Sequence, residues 1–427
     1  MTTRLPNAYE SALDPAFHLG QLSRPALAIL GREWLLHGHL QDRAGMPLYL
    51  ARASREDMET LAIDEWMLAS PIYSRRMQRT LRFEGHDVPT IFKNLQLDIG
   101  APHQFMDFRY RITDAEHGEF WLAHCGALMD VEPMGEDFVV GMCHHIEDPT
   151  FDATAGATNP RAQVRPIHRP PRVPTDRHPH CHWTVIIDAE ADPVAGHPNL
   201  EAMLRSQLAA LPVVTPRPDP ATGGQPDYSG DFNPDFVLED LSQPALVVAL
   251  DEFAVQSHLL LRAYLVSLAR RVGTDDAVAL GYRTCIGLAG ITAERLTSAA
   301  GLLSHDAGAI AKLLQLHPIF HPRSYVDLRV EVVEEQRVRL AVGPCPALEE
   351  NDPFTWLACL DQGGVAPLDA IIRAVEPRAR CHLVDTRPGE ARAYEAVIDP
   401  DAGPSPEPAE MTLVRFSTGA DFRFRPA

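Results

Sequence analysis

The chain has 427 residues, 45% of them hydrophobic and 22% charged, which is longer than one ordinary domain and points to two. A formal net charge of -20 argues against nucleic acid or an anionic membrane as the main partner, because both reward clustered Lys and Arg. Seven widely spread cysteines and an opening MTTRLPNAYESALD without an apolar signal core set the expectation of reduced thiols in a cytoplasm.

In chain order, Ser23 caps a predicted helix with Leu27, Leu30 and Trp34 on one face, ending near Gly45. Ser54-x-x-Asp57 starts a second helix to about Ser70, and Pro71–Phe83 reads as a third. The stretch Gly85–Leu97, GHDVPTIFKNLQL, is a short fourth helix capped by Asp87, with Pro89 in its first turn. The period then changes from 3.6 to 2. Met106, Phe108, Tyr110 and Ile112 alternate with polar residues, DAEHG turns, and Glu119–Cys125 returns as a second strand. A helix over Phe138–Glu147, two strands ending at WTVIID and a helix over Pro198–Leu211 complete the first half. Arg165–Arg177, basic and proline-rich, reads as a solvated loop, and no apolar run approaches the roughly 20 residues of a spanning helix.

The same order then recurs. His86, Asp87, Ile91, Lys93, Leu95, Gln96 and Leu97 return 219 positions later as His305, Asp306, Ile310, Lys312, Leu314, Gln315 and Leu316, and Lys93 and Lys312 are the chain's only two lysines. Tyr9–Leu27 aligns with Tyr228–Leu246, and Cys125 with Cys345 one position further on. In the second half, helices start at Ser242, Thr274, Ile291 and Asp306. Strands follow through Val326–Val332 and Val338–Val342, then a helix over Phe354–Cys359 and strands ending at YEAVID. Met411–Phe416 and Asp421–Arg425 read as a closing pair of strands. The expected fold class is α+β: two tandem homologous units, each of helices followed by a small antiparallel sheet, forming a pseudo-two-fold intramolecular dimer. The expected boundaries are a first unit 1–212, a Pro/Gly/Asp-rich linker 213–227 and a second unit 228–427.

A site is expected where the halves differ. His124-Cys125 becomes Pro344-Cys345, Cys143-His144-His145 becomes Cys359-Leu360-Asp361, and His180-Cys181-His182 becomes Ala391-Arg392-Ala393. A thiol becomes a good nucleophile when an imidazolium lowers its pKa, histidine supplies the general base, and a carboxylate orients the ring. That assigns Cys125 as nucleophile or metal ligand, and His124, His144 or His145 as acid/base. Asp130 or Asp148 would orient the ring, and Arg109, Lys93 and Trp183 would hold a substrate. Cys143, His180, Cys181 and His182 are the alternative, a zinc or iron set, although the chain has no CxxC or HExxH. Core packing is the competing reading for every cysteine. The chain carries no Rossmann glycine fingerprint or P-loop, so no nucleotide cofactor is expected.

CPALEENDPFTWLACLDQG from Cys345, RARCHLV and the terminal LVRFSTGADFRF together resemble the L-2-amino-thiazoline-4-carboxylic acid hydrolase family and, more remotely, V4R small-molecule-binding domains. Those families tend to end in a Gly-x-x-Cys-x-Phe-like strand; here Gly419–Phe424 lacks the cysteine, while Cys181-His182-Trp183 retains one in the first half. The resemblance implies a ring-opening hydrolase or a ligand sensor. The expected function is a hydrolase or lyase-like enzyme that opens a small polar heterocycle or cleaves a C–N or C–S bond of a carboxylate-bearing molecule through a Cys/His site in the first unit, with self-association as a further expectation. The alternatives are a non-catalytic binding protein and a Zn- or Fe-dependent enzyme.

Overall fold

The computed structural model describes residues 14–415. Ser23 caps α1 (Arg24–Leu50), accepting from the Ala26 N–H. The helix passes Gly45, because that glycine answers a close approach: the Tyr264 ring lies 3.0 Å from where its Cβ would stand. The Ser54/Asp57 capping box opens α2 (Arg55–Thr80), which runs through Pro71 where a break was predicted. An interior proline costs about 3 kcal/mol. Leu68, Ala69, Ile72, Tyr73 and Met77 are buried around it, and at roughly 1.5–3 kcal/mol per large side chain their burial outweighs that cost. Asp87 caps α3 (Val88–Leu95), its Oδ1 accepting from the Thr90 N–H at 3.0 Å.

β1 (Met106–Ile112) and β2 (His117–Cys125) form the predicted hairpin. The helix expected over 138–147 is instead a series: α4 (Gly126–Val131), α5 (Glu136–Val140), a π-helical turn over Gly141–Ile146, and α6 (Glu147–Gly156). β3 (Ala162–His168) and β4 (Cys181–Ile187) complete a four-stranded antiparallel sheet of order β1-β2-β4-β3. The helix expected over 198–211 is only α7 (Leu200–Leu204). The Glu350 carboxylate takes the Gln207 and Leu208 N–H groups that a longer helix would use itself. The segment 213–227 is tied down at its far end, where Gln225 pairs with Leu241 and the Tyr228 N–H donates to the Leu81 carbonyl.

The second half follows the same order with α8 (Gln243–Val272), α9 (Thr274–Ala300), α10 (Ala307–Leu316), β5 (Leu328–Glu334), β6 (Arg337–Val342), α11 (Trp356–Gly363), α12 (Ala366–Arg373), β7 (Ala379–Leu383) and β8 (Arg392–Ile398). Its sheet has the order β5-β6-β8-β7. α9 is continuous through Ile291, where a separate helix was predicted, since it holds no proline and its Gly287 and Gly290 answer the close approach of Glu410, Met411 and Val414. The expected strand over 411–416 is corrected to α13 (Ala409–Arg415). Met411 and Val414, three apart, both bury against α9, where Gly290 leaves room; a Cβ there would stand 2.4 Å from the Met411 sulfur. The expected strand 421–425 lies outside the described residues.

The long helices mix across the halves: α1 lies against α8 and α9, and α2 against α8. Bonds between them come in matching pairs. Arg76 on α2 holds Glu252 on α8 at 2.8 and 2.9 Å, and Arg295 on α9 holds Glu33 on α1 at 2.6 and 2.9 Å. The Gln96 amide donates to the Asn233 carbonyl and the Gln315 amide to that of Asp14, each at 2.8 Å. One apolar core runs through these helices and the second sheet, while the first sheet closes over a separate core. Only α8 is long and apolar enough to cross a bilayer among the described residues, and 83% of its apolar window is buried inside the protein.

Candidate functional site

Cys125 ends β2 and caps α4, its sulfur accepting from the Leu128 N–H at 3.3 Å. The strand end does not deliver the thiol to a cleft. Cys125, Cys143 and Cys181 turn inward together among Leu122, Leu128 and Trp183. Burial, with the Glu147 carboxyl nearby, pushes the Cys125 thiol up to about 12, and burial raises Cys143 and Cys181 as well. All three are protonated at neutral pH, the opposite of an activated nucleophile.

The histidines do not converge on these thiols. His180 is buried and its Nδ1 accepts from the Cys125 backbone N–H at 3.0 Å, so that nitrogen carries no proton. Burial and the nearby Arg172 lower its pKa to about 4. His124 is exposed, with its ring 5.5 Å from that of His180. His182 lies 2.8 Å from Glu119, on the side of β4 away from Cys181. His144 Nε2 contacts the Pro170 carbonyl at 2.7 Å, and His145 Nδ1 contacts Glu59 at 2.8 Å. Because β4 starts only at Cys181, the alternation that would align His178, His180 and His182 on one strand face does not arise. Among the described residues no three His, Cys, Asp or Glu side chains are placed to hold a metal, Cys143, His180, Cys181 and His182 included.

The remaining predicted residues are occupied structurally. Asp130 pairs with Arg43 and Asp148 with Arg169. Arg109 pairs with Asp107 at 2.7 Å on the outer face of β1. Lys93 donates to the Tyr228 and Gly230 carbonyls and stands over the Tyr228 ring, fastening the far end of the linker. Trp183 is fully buried against Phe120 and Phe151.

A concave feature of the first half lies beside this set. A cavity of about 350 Å³ opens between α1, α2, the β1–β2 hairpin and the α4–α6 series. Its wall is largely apolar and aromatic, with Met46, Trp66, Phe108, Phe138 and Phe151. The π-helical turn brings Gly141 onto Glu59, where a Cβ would stand 2.1 Å from a carboxylate oxygen, so a larger residue would have to displace that carboxylate. Such turns are frequent at functional sites.

Several acidic groups are set into this wall. Asp98 is buried, accepting from the Tyr73 hydroxyl at 2.9 Å and the Gly100 N–H at 2.7 Å, yet burial dominates and lifts its pKa to about 6. Glu147 is pushed up to about 8 by burial, against the pull of the Arg169 guanidinium, and its Oε2 has no hydrogen-bond partner. Asp42 accepts from Trp66 Nε1 at 3.0 Å and lies near the fully buried Glu65; burial raises both, and the neighbouring Asp42 charge raises Glu65 further. His39 is buried against Phe105 with an unpartnered Nδ1, and burial drops its pKa to about 3, leaving a neutral imidazole. Of the other two wall carboxylates, Asp130 is paired with Arg43, and Glu59 with Arg55 and His145.

At two of the matching positions of the second half the side chains are larger. At the 219-residue offset Gly100 and Ala101 correspond to Ile319 and Phe320, both buried, with Phe320 against Trp356. Asp42, Glu59, Glu65, Tyr73 and Asp98 correspond to Leu261, Val278, Thr284, Thr292 and His317. Comparing the halves for Cys and His alone passed over this set; the same comparison for carboxylates marks it. Set against protein-family models, curated proteins and solved structures, the chain matches none.

Proposed function

We propose that the first half binds a small, mainly apolar molecule in the cavity between α1, α2 and the β1–β2 hairpin, and that the second half serves as its scaffold. The observation that carries this is the cavity itself: about 350 Å³, at the lower end of the range typical of small-molecule sites, apolar-walled with a few convergent polar groups. The test is to fill it as the second half is filled. Wild-type protein is expected to bind one equivalent of a neutral apolar fluorophore such as N-phenyl-1-naphthylamine, and Ala101→Phe to lose that binding while keeping its circular dichroism spectrum. Equal binding by both proteins would place the dye elsewhere and sink the reading.

Enzymatic turnover is a second reading, favoured by the two wall carboxyls whose pKa values, about 6 for Asp98 and about 8 for Glu147, straddle neutrality. Groups in that range suit general acid and general base roles. The C–N or C–S bond chemistry anticipated from the sequence then moves from Cys125 to Glu147 and Asp98.

We also infer that the two halves are one α+β unit present twice and packed as a fused dimer about a pseudo-two-fold axis. The paired Arg76–Glu252 and Arg295–Glu33 contacts support it, because a two-fold axis requires every contact to occur in both directions.

A further inference from the structure

We propose that the molecule held in the first-half cavity is an organic cation, an amine on an apolar or aromatic body, with its nitrogen directed to Glu147. This rests on the small-molecule reading above and specifies the class of ligand.

The charges on the wall decide the sign. Asp42, Glu59, Asp98, Asp130 and Glu147 face the cavity, against a single guanidinium, Arg43, which is already paired with Asp130. Glu59 is matched by Arg55 and His145. Asp42, Asp98 and Glu147 form no ion pair among the described residues. A carboxylate or phosphate entering here would find no guanidinium that is not already paired; an ammonium would draw these carboxyls into their charged form and pair with it.

The unsatisfied atoms give the position. Glu147 presents a buried Oε2 with no donor, and buried acceptors are rarely left without one. His39, 8% exposed, lines the same cavity with Nδ1 unpartnered; held neutral, it can accept a second N–H without adding positive charge. An ammonium has three N–H donors and no acceptor, so it suits a wall whose bare atoms, Asp42 Oδ1 included, are acceptors better than a hydroxyl does. Trp66, Phe108, Phe138 and Phe151 supply the apolar wall and ring faces that attract a cation.

The basal state is coherent with this. Without a cation beside it, a buried carboxyl avoids ionising, which is the direction in which burial moves Glu147, Asp98 and Asp42.

The test is calorimetric titration of the full chain with 2-phenylethylamine and tryptamine, each beside its alcohol and carboxylate analogue. The amines are expected to bind about ten- to a hundredfold more tightly than the alcohols, the range for a charge-assisted hydrogen bond, and the carboxylates not at all. Glu147→Gln is expected to bring the amines down to the affinity that the same variant shows for the alcohols, with an unchanged circular dichroism spectrum showing that it is folded. Alcohols binding as tightly as amines, or an amine preference that survives Glu147→Gln, overturns the cation assignment and leaves the small-molecule reading standing. If no analogue binds at all, both are overturned.

Discussion

At the scale of single residues, environment decides what a side chain can do. Cys125 has the company a nucleophile needs in sequence, with histidines beside it and across the sheet, but in space His180 engages its backbone N–H and leaves the thiol to the core. Iodoacetamide at pH 7 is therefore expected to label Cys125 no faster than Cys143 or Cys181, and all three at least tenfold more slowly than in urea-unfolded protein; selective labelling of native Cys125, read by peptide mass spectrometry, would contradict this. The carboxyls run the other way. Asp42, Asp98 and Glu147 are unremarkable in sequence and unusual in place, because only packing takes them out of water. Asp130 and Lys93, by contrast, are spent on an ion pair and on two carbonyls. Side-chain identity was legible from the chain; desolvation, which sets the pKa, was not.

Among elements, local rules predicted starts better than stops. Ser23, Ser54, Asp87, Ser242 and Asp306 each cap the helix expected of them. An N-cap needs only a side-chain oxygen and the next few N–H groups, all set by adjacent sequence. Asp87→Ala and Asp306→Ala are each expected to cost about 1 kcal/mol, and the double variant about the sum, since the two caps lie in separate halves. Urea unfolding of the single and double variants checks this; a cost confined to one of them would show that the two equivalent helices are not used alike. Helix ends depended on distant partners. Pro71 and Gly45 look like stops, yet α2 and α1 pass them because burial along both helices outweighs the local preference. The period of Met411–Phe416 was ambiguous between strand and helix until the groove beside Gly290 on α9 selected the three-residue spacing of α13.

At the scale of the whole molecule, the helices that join the halves bury an uncommon number of histidines. His37 contacts Thr292, His258 the His321 carbonyl, His321 the Gln315 carbonyl and His317 the Ala289 carbonyl, at 2.8 to 3.1 Å. Burial lowers all four, His258 to about 4 and His317 to about 3. A histidine whose pKa is depressed on folding contributes fully above its unfolded value near 6.5, and that contribution is lost as pH falls towards the folded value. The raised carboxyls Asp98, Asp251 and Glu147 act in the opposite sense, favouring the fold as pH falls below about 6, 7 and 8, and with Asp42 and Glu65 offset part of the loss. With His39 and His180 lowered as well, the histidines outweigh them, so the urea midpoint is expected to fall between pH 7 and pH 4.5, and His317→Gln to flatten that fall. An identical slope in the variant would show that His317 takes no part.

The sequence by itself determined the class of the fold, the helix starts that carry a capping Ser or Asp, the hairpins and the order of elements along each half. Those follow from periodicity, capping and turn chemistry within a few residues. The tertiary structure alone decided where a ligand can sit. A cavity exists because Gly100 and Ala101 leave space that Ile319 and Phe320 fill on the other side, and because α1, α2 and a π-helical turn from three separate stretches enclose it. Volume and desolvation are properties of assembled surfaces, so comparison of the two halves marks Asp42, Glu59 and Asp98 as peculiar to the first half but not that they face one space.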